Sequence, residues 1–268
     1  MLGQFDRKAE IIIGNLSFHS DKFDFEFDVE FSDSDDEKNH AEVLIYNLSR
    51  NTVNQIRTGT PLIINAGYQN DVGSVFVGVV YESNTVQNGV DRETTIKAVD
   101  GTKQRDRLRV NKTYAAGTRA SQILTDLCRL AGLPIGVMSL PKDVIYRSGR
   151  HITGPILQRI KGIAQECGAR FKIVKGVAYF RGPEEGQEVG FLFTPEKGLI
   201  GSPEPTTWED EDGKEHRGYN IRALLNHRIQ PNSIIRVQSK VISGRFRVRK
   251  GRHYYNDQEM ITEMEVVS

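Results

Sequence analysis

The chain has 268 residues, 38% hydrophobic and 26% charged, with a formal net charge of +1. That length is enough for one or two domains with real hydrophobic cores, and the composition argues against a disordered or a membrane protein. Balanced charge argues against strong global attraction to nucleic acid, so any charge-based role has to come from local patterning.

No run approaches the roughly 18 apolar residues of a spanning helix, and Met1 to Glu10 is polar with both charge signs. Synthesis and folding in the cytoplasm are expected, with no insertion into a membrane. The cysteines, Cys128 and Cys167, each fall on the apolar side of a predicted helix and are expected to be inert buried thiols.

From Ala9 to about Val110 the sequence reads as short strands between turns. Between Lys22 and Phe31, strict alternation puts Phe23, Phe25, Phe27, Val29 and Phe31 on one face and acids on the other, as in a half-buried antiparallel strand. Further strands are predicted at Ala41–Tyr46, Pro61–Tyr68, Ser74–Ser83 and Arg92–Val99, with Asn88-Gly89 as a tight hairpin turn. Ser49 through Arg57, with Val53 and Ile56 at helical spacing, predicts one short helix.

The period changes between Thr113 and Pro183. Thr118 is a candidate cap for a helix whose Ile123, Leu124, Leu127, Cys128 and Ala131 share a face, stopped by Gly132 and Pro134. A second helix is predicted from Pro155 to Cys167, with Ile156, Leu157, Ile160, Ile163 and Ala164 as its stripe and Gly168 beyond its end. Strands at Arg170–Val174 and Val177–Phe180 follow, joined at Lys175-Gly176.

The remainder reads as β again: Glu188–Phe193, Gly218–Leu225, Ile234–Lys240, Gly244–Arg249 and Met260–Val267. The charged stretch Pro203 to Arg217, with Asp212-Gly213, is expected as an exposed hairpin or loop. The fold class expected is mainly β with an α+β insert: a β-barrel-like domain over 1–112, a two-helix α/β domain over 113–183, and a second small β-barrel-like domain over 184–268.

Signatures of catalysis are absent. The histidines His19, His40, His151, His216, His227 and His253 are scattered without a metal-site spacing, and there is no Cys-x-x-Cys. No nucleophile elbow, Walker loop or dinucleotide loop occurs. The acidic run Asp33-Ser34-Asp35-Asp36-Glu37 lacks the spacing of a calcium loop and is expected as a solvated connection. Glu184, Glu185 and Glu188 lie in a Gly/Pro-rich linker, where nothing would raise a carboxyl pKa for glycoside hydrolysis. No catalytic residue, metal or cofactor is expected.

Two strand faces carry patterned charge of opposite sign. Asp24, Glu26, Asp28 and Glu30 form an acidic stripe, while Arg245, Arg247 and Arg249 form a basic one. Channel lining or an inter-subunit edge is preferred for the acidic stripe, against plain solvent-facing surface, and a solvated or subunit-facing strand is preferred for the basic one. Carboxylates facing a lumen would repel passing DNA and keep it from sticking.

The ordered segments resemble the baseplate hub proteins of phage tails, akin to the hub of contractile tails and the base of type VI secretion spikes. In the first part the resemblance rests on Ala41–Ser49, Ile63–Tyr68, Phe76–Val80 and Ile96–Gly101. In the last part it rests on Gly198–Pro203, Ala223–Pro231 and Gly244–Val248. Pro203–Arg217 departs from the pattern.

The resemblance implies a non-enzymatic virion structural protein, two similar barrels per subunit, and a homotrimeric ring of pseudo-six-fold symmetry. Its partners would be the tail tube protein, the central spike protein and other baseplate proteins, with DNA only as passing cargo. The expected location is the tail baseplate of a virion or phage-like particle. Two rivals remain: a nucleic-acid-binding β-barrel protein using Arg245, Arg247, Arg249, Lys250 and Arg252, and a wall-degrading enzyme with an unrecognised site.

Overall fold

The computed structural model describes residues 6–34, 37–100, 107–183, 185–209 and 215–268. Backbone contacts divide the chain into two compact units, Met1–Val99 with Gly186–Ser268, and Asp100–Glu185.

The first unit is built on one thirteen-stranded sheet. Its early strands are β1 (Arg7–Ile13), β2 (Leu16–His19), β3 (Phe25–Ser32), β4 (His40–Tyr46), β5 (Pro61–Tyr68), β6 (Asp71–Asn88) and β7 (Asp91–Val99). Its late strands are β15 (Gln187–Phe193), β16 (Leu199–Glu209), β17 (Glu215–Leu224), β18 (Ser233–Gln238), β19 (Ser243–Tyr255) and β20 (Met260–Val267). The order is β16-β17-β20-β19-β3-β4-β7-β6-β5-β1-β2, with β18 also on β19 and β15 parallel to β18.

Among the described residues no sheet closes on itself, so the two expected β-barrel domains are not present. The strands assigned to separate barrels join instead where β19 pairs antiparallel with β3, from Lys250↔Ser32 to Tyr255↔Phe27. The physical reason lies in what alternation encodes: it fixes which face of a strand is buried, and an open sheet satisfies it as well as a closed one.

The sheet covers two apolar cores. Phe25, Phe27, Val29, Val43, Ile45, Ile64 and Ile96 belong to one, and Phe31, Phe193, Ile221, Ile235, Phe246, Val248 and Val266 to the other. Burying each large side chain contributes about 1.5–3 kcal/mol.

Several elements differ in extent from the sequence reading. β3 begins at Phe25, and Phe23 instead packs edge-on against Phe18 at 5.2 Å between centroids. Helix α1 (Arg50–Val53) is a single turn, capped where Ser49 Oγ accepts the Thr52 N–H at 3.1 Å. β19 runs six residues past Arg249, to Tyr255, because a bulge between Val248 and Lys250 lets the strand continue after its phase changes. The Pro203–Arg217 stretch forms the β16–β17 hairpin, paired from Glu204↔Asn220 to Glu209↔Glu215, while Asp212-Gly213 lies outside the described residues.

The second unit contains β8 (Arg109–Tyr114), β9 (Thr118–Arg119), α2 (Ala120–Leu130), β10 (Ile135–Met138), β11 (Ile145–Tyr146), β12 (Arg150–Pro155), α3 (Ile156–Glu166), β13 (Arg170–Val174) and β14 (Val177–Arg181). The predicted stripes of both helices meet in one core with Phe171 and Phe180. Cys128 and Cys167 are free thiols within it, and burial pushes the Cys128 thiol up to about 12.

Thr118 does not cap α2. It lies in β9, its hydroxyl donating to Ala115 O at 2.7 Å, and Asp143 takes the cap role by accepting the Ser121 N–H at 2.9 Å. The left-handed Gly132 and Gly168 stop the two helices, with φ of 63° and 72°. Among the described residues, no helix is long and apolar enough to cross a membrane.

Candidate interaction surface

The alternation in β3 buries Phe25, Phe27, Val29 and Phe31 and turns Glu26, Asp28 and Glu30 to the opposite face. Asp24 precedes the strand, where its carbonyl accepts the Tyr46 N–H at 3.0 Å. Three of the four acids in the predicted stripe thus share a sheet face.

That face is a lattice of alternating charge. Across four strands the register aligns Glu30 of β3, Arg252 of β19, Glu263 of β20 and Arg222 of β17. Arg252 bonds Glu263 at 2.7 Å through Nε and Asp28 at 3.1 Å through Nη1. Arg222 reaches Glu259 at 2.6 Å and Glu263 at 3.3 Å. Opposite charges on neighbouring strands each contribute a few tenths of a kcal/mol to about 1 kcal/mol.

The Asp28 carboxyl is pushed above its ordinary value by burial first, with Glu30 and Glu263 adding repulsion and Arg252 opposing the rise. Its Oδ1 is buried without a hydrogen-bond partner. The Arg252 guanidinium is held more firmly protonated than usual, chiefly by its bond to Glu263. Glu26 accepts from the Tyr46 hydroxyl at 3.3 Å.

An open cleft of about 1290 Å³ runs over this lattice, lined by Glu30, His40, Ile200, Arg222, Lys250 and Glu263 among others. A shallower depression of about 520 Å³ lies beside it, over Glu26, Asp28, Glu42, Tyr81 and Lys97. Both are mixed in charge and broad, as suits a contact surface for a macromolecule better than a closed small-molecule pocket.

The three arginines of the basic stripe each hold a carboxylate. Arg245 bonds Glu188 at 2.7 Å, Arg247 bonds Asp33 at 2.6 Å, and Arg249 bonds Glu265 at 2.5 Å while lying over the Trp208 ring at 4.6 Å. Only Arg245 is largely exposed, its side chain at 62% against 13% and 21% for Arg247 and Arg249. A guanidinium committed to a carboxylate is not free to neutralise a phosphate, which weakens the nucleic-acid reading.

The stripes lie on neighbouring strands, yet β3 is met by Lys250 and Arg252 beyond the bulge rather than by Arg245–Arg249. Arg222 and Glu263 were missed by the sequence reading, although Glu263 and Glu265 alternate with apolar residues in β20 and carry the same period-two signal. Asp33 is 7% exposed and paired, so this end of the acidic run is no solvated loop; Asp35 and Asp36 lie outside the described residues. Glu184 lies outside them too, and Glu188 pairs with Arg245. Among the described residues no group of three or more His, Cys, Asp or Glu is placed to hold a metal.

Comparison of the sequence with protein-family models and with curated proteins returns no match. Solved structures do match the fold. A tail protein from Neisseria meningitidis aligns with TM-score 0.66 at 9% identity, over 98% of this chain and 97% of that one. The 43 kDa tail protein of prophage MuSo2 from Shewanella oneidensis aligns with TM-score 0.69 at 8% identity, over 98% of each chain. An Escherichia coli component of the type VI secretion system, described as structurally similar to bacteriophage T4 tail proteins, aligns with TM-score 0.63 at 10% identity, over 96% of this chain and 76% of that one. The chain therefore shares its fold with these phage-type tail proteins and this type VI secretion component.

Proposed function

We propose that this chain is a structural, non-enzymatic subunit of a phage or phage-like tail, a baseplate hub protein. The observation that carries the reading is the near end-to-end match, 96–98% of this chain, to proteins described as tail or type VI components. In the finer reading three copies form a ring between the tail tube and the central spike, with other baseplate proteins around it and DNA passing through.

The first unit supports such a ring in a form that does not need barrels. One sheet carries two separate apolar cores, so a subunit presents two lobes and three subunits present six. A three-fold assembly presenting two cores per subunit can meet a six-fold tube on one side and a three-fold spike on the other. Lateral contact also has a backbone to use: β6 pairs with β5 only up to Val79, and among the described residues no strand pairs with its outer edge from Glu82 to Asn88. From Ser83 to Asn88 that stretch has no proline and no charged residue, two of the usual guards of a free edge.

Asp24, Glu26, Asp28 and Glu30 are proposed as channel-facing or interface residues, with Arg245, Arg247 and Arg249 as interface residues. Light scattering of the purified chain, followed by electron microscopy of assembled particles, tests the reading. A trimer that joins tube and spike is expected; a permanent monomer absent from particles overturns it.

A further inference from the structure

We propose that the second unit docks through a basic surface around Ile145 onto the acid-lined depression over β3 and β4 of another copy of this chain. The proposal rests on the hub reading and names a contact by which copies hold one another. Charge is divided unevenly between the two units. Residues 100–185 hold 16 of the chain's 36 lysines and arginines but 7 of its 35 acids, a formal net charge of +9. The rest of the chain, which is the first unit, is left at −8. The whole looks neutral only because the two cancel.

In the described part of the second unit, 107–183, fourteen lysines and arginines stand against three acids, Asp126, Asp143 and Glu166. Those three already face cations of their own unit: Lys112 and Arg129 on Asp126, Arg119 on Asp143, and Arg150 on Glu166. Three carboxylates cannot neutralise fourteen bases, so the surplus draws in an anionic partner. The surface around Ile145 is composed like an interface. Ile145 of β11 is 46% exposed, and the register sets Arg119 of β9 directly across from it. The Arg119 side chain is 54% exposed, and Arg147, just beyond β11, is exposed as well. An apolar side chain beside arginines matches interface centres, where arginine is enriched and lysine depleted.

The depression of about 520 Å³ on the first unit has the reciprocal character. Among the described residues its lining carries four carboxylates, Glu26, Asp28, Glu30 and Glu42, to one lysine, Lys97, with Leu44 as apolar surface. Guanidinium groups pair with carboxylates in two-pronged fashion and are more weakly hydrated than ammonium groups, which suits them to such a face. Each copy offers one basic surface and one acid-lined depression, so the contact repeats head to tail and closes when the rotation closes. A nucleic acid or an anionic membrane would match the second unit alone and be repelled by the first, whereas a second copy matches both.

Sedimentation velocity of the full-length chain over a concentration series, in about 50 mM and about 500 mM sodium chloride, tests the contact, since the added salt shortens the screening length about threefold. The concentration at half-assembly is expected to rise at least about tenfold in the higher salt. Arg147→Glu and Glu42→Arg, both at exposed positions, are each expected to raise it at least about tenfold in the lower salt. Their combination on one chain is expected to lose less than either reversal alone. Should a reversal fail to fold, Arg147→Gln and Glu42→Gln replace it, each with a rise of about threefold expected. Assembly that ignores salt, survives the substitutions or is weakest in the combination overturns the contact; if it still enters particles, the hub reading stands without it. A monomer at every salt also overturns the contact, and its absence from particles removes the hub reading as well. Retention on single-stranded DNA or phosphatidylglycerol vesicles, lost in Arg147→Glu while self-association is unchanged, assigns the surface to that partner and overturns the proposal.

Discussion

Arg247 Nη1 lies 2.6 Å from Asp33 Oδ2, with the two side chains 13% and 8% exposed, and the same nitrogen is 2.9 Å from Asn232 Oδ1. The pair ties the start of the β3–β4 connection to β19, reinforced by the Asp33 N–H donating to Arg249 O at 2.7 Å. Removing one member of a buried pair leaves the other charge less compensated, which costs up to about 3–5 kcal/mol. Arg247→Ala and Asp33→Ala are each expected to lower unfolding free energy by about that much, while the double replacement loses less than the sum. Urea unfolding of the three variants checks it; additive losses would mean the charges act independently.

Asp28 has the opposite sign. Its folded-state pKa is raised, so the folded protein holds this proton more tightly than the unfolded chain and pays a penalty once it is lost. Stability from this group is greatest below about pH 4 and falls as pH rises through the raised value, leaving the full penalty at neutral pH. Asp28→Asn is expected to raise stability at pH 7 by up to about 1 kcal/mol and to have little effect at pH 3. A marked loss at pH 7 would show that the Arg252 bond outweighs burial.

Asp126 in the second unit behaves conventionally. Its carboxyl is held far below the usual range by Lys112 first, at 2.6 Å, then by the Tyr114 hydroxyl at 2.7 Å and Arg129 at 2.9 Å. A depressed folded pKa gives stability that is present above about pH 4 and is lost as the pH falls through the folded value. Asp126→Asn is expected to destabilise this unit by about 1–3 kcal/mol at pH 7 and to flatten its acid dependence, as read by thermal melts from pH 7 to pH 2.

Trp208 is the sole tryptophan and lies between Arg249 at 4.6 Å and His216, whose ring stacks at 5.5 Å. Gly218 is the floor of this stack: a Cβ there would come 2.2 Å from Val266 O and 3.0 Å from Trp208. Gly218→Ala is expected to destabilise by about 1–3 kcal/mol and shift Trp208 emission to the red. Arg249→Ala should shift the emission without the steric loss.

The open edge of β6 gives an assembly test. Thr85→Pro interrupts the strand within Glu82–Asn88 and disturbs the ladder to β7 at Thr94. Val86→Lys, on an exposed side chain, guards the edge without touching that ladder. Reduced oligomer by light scattering in both, with unchanged circular dichroism in the lysine variant, is expected; an oligomer that survives Val86→Lys assigns the contact to another surface.

Much of the strand list was legible because alternation is a local signal. Phe25, Phe27 and Val29 announce β3, and β5, β13 and β20 have the bounds that the sequence predicts. Strand partnership was not legible. Nothing near Phe27 specifies Tyr255 as its cross-strand neighbour, since that choice is made by two cores settling over one sheet. The bulge after Val248 hid half of the candidate surface for the same reason: it shifts the phase of β19, so Arg252 rather than Arg249 meets the acids of β3.

β19 hydrogen-bonds to β3, β18 and β20 along its thirteen residues, so both cores have it in common. Tension applied between the early and late strands cannot be relieved by bending a linker. It has to shear the main-chain bonds between β19 and β3 and also break cross-ties such as the Tyr68 hydroxyl on Met260 O and Arg228 on Asp71, which makes this unit stiff along the strands.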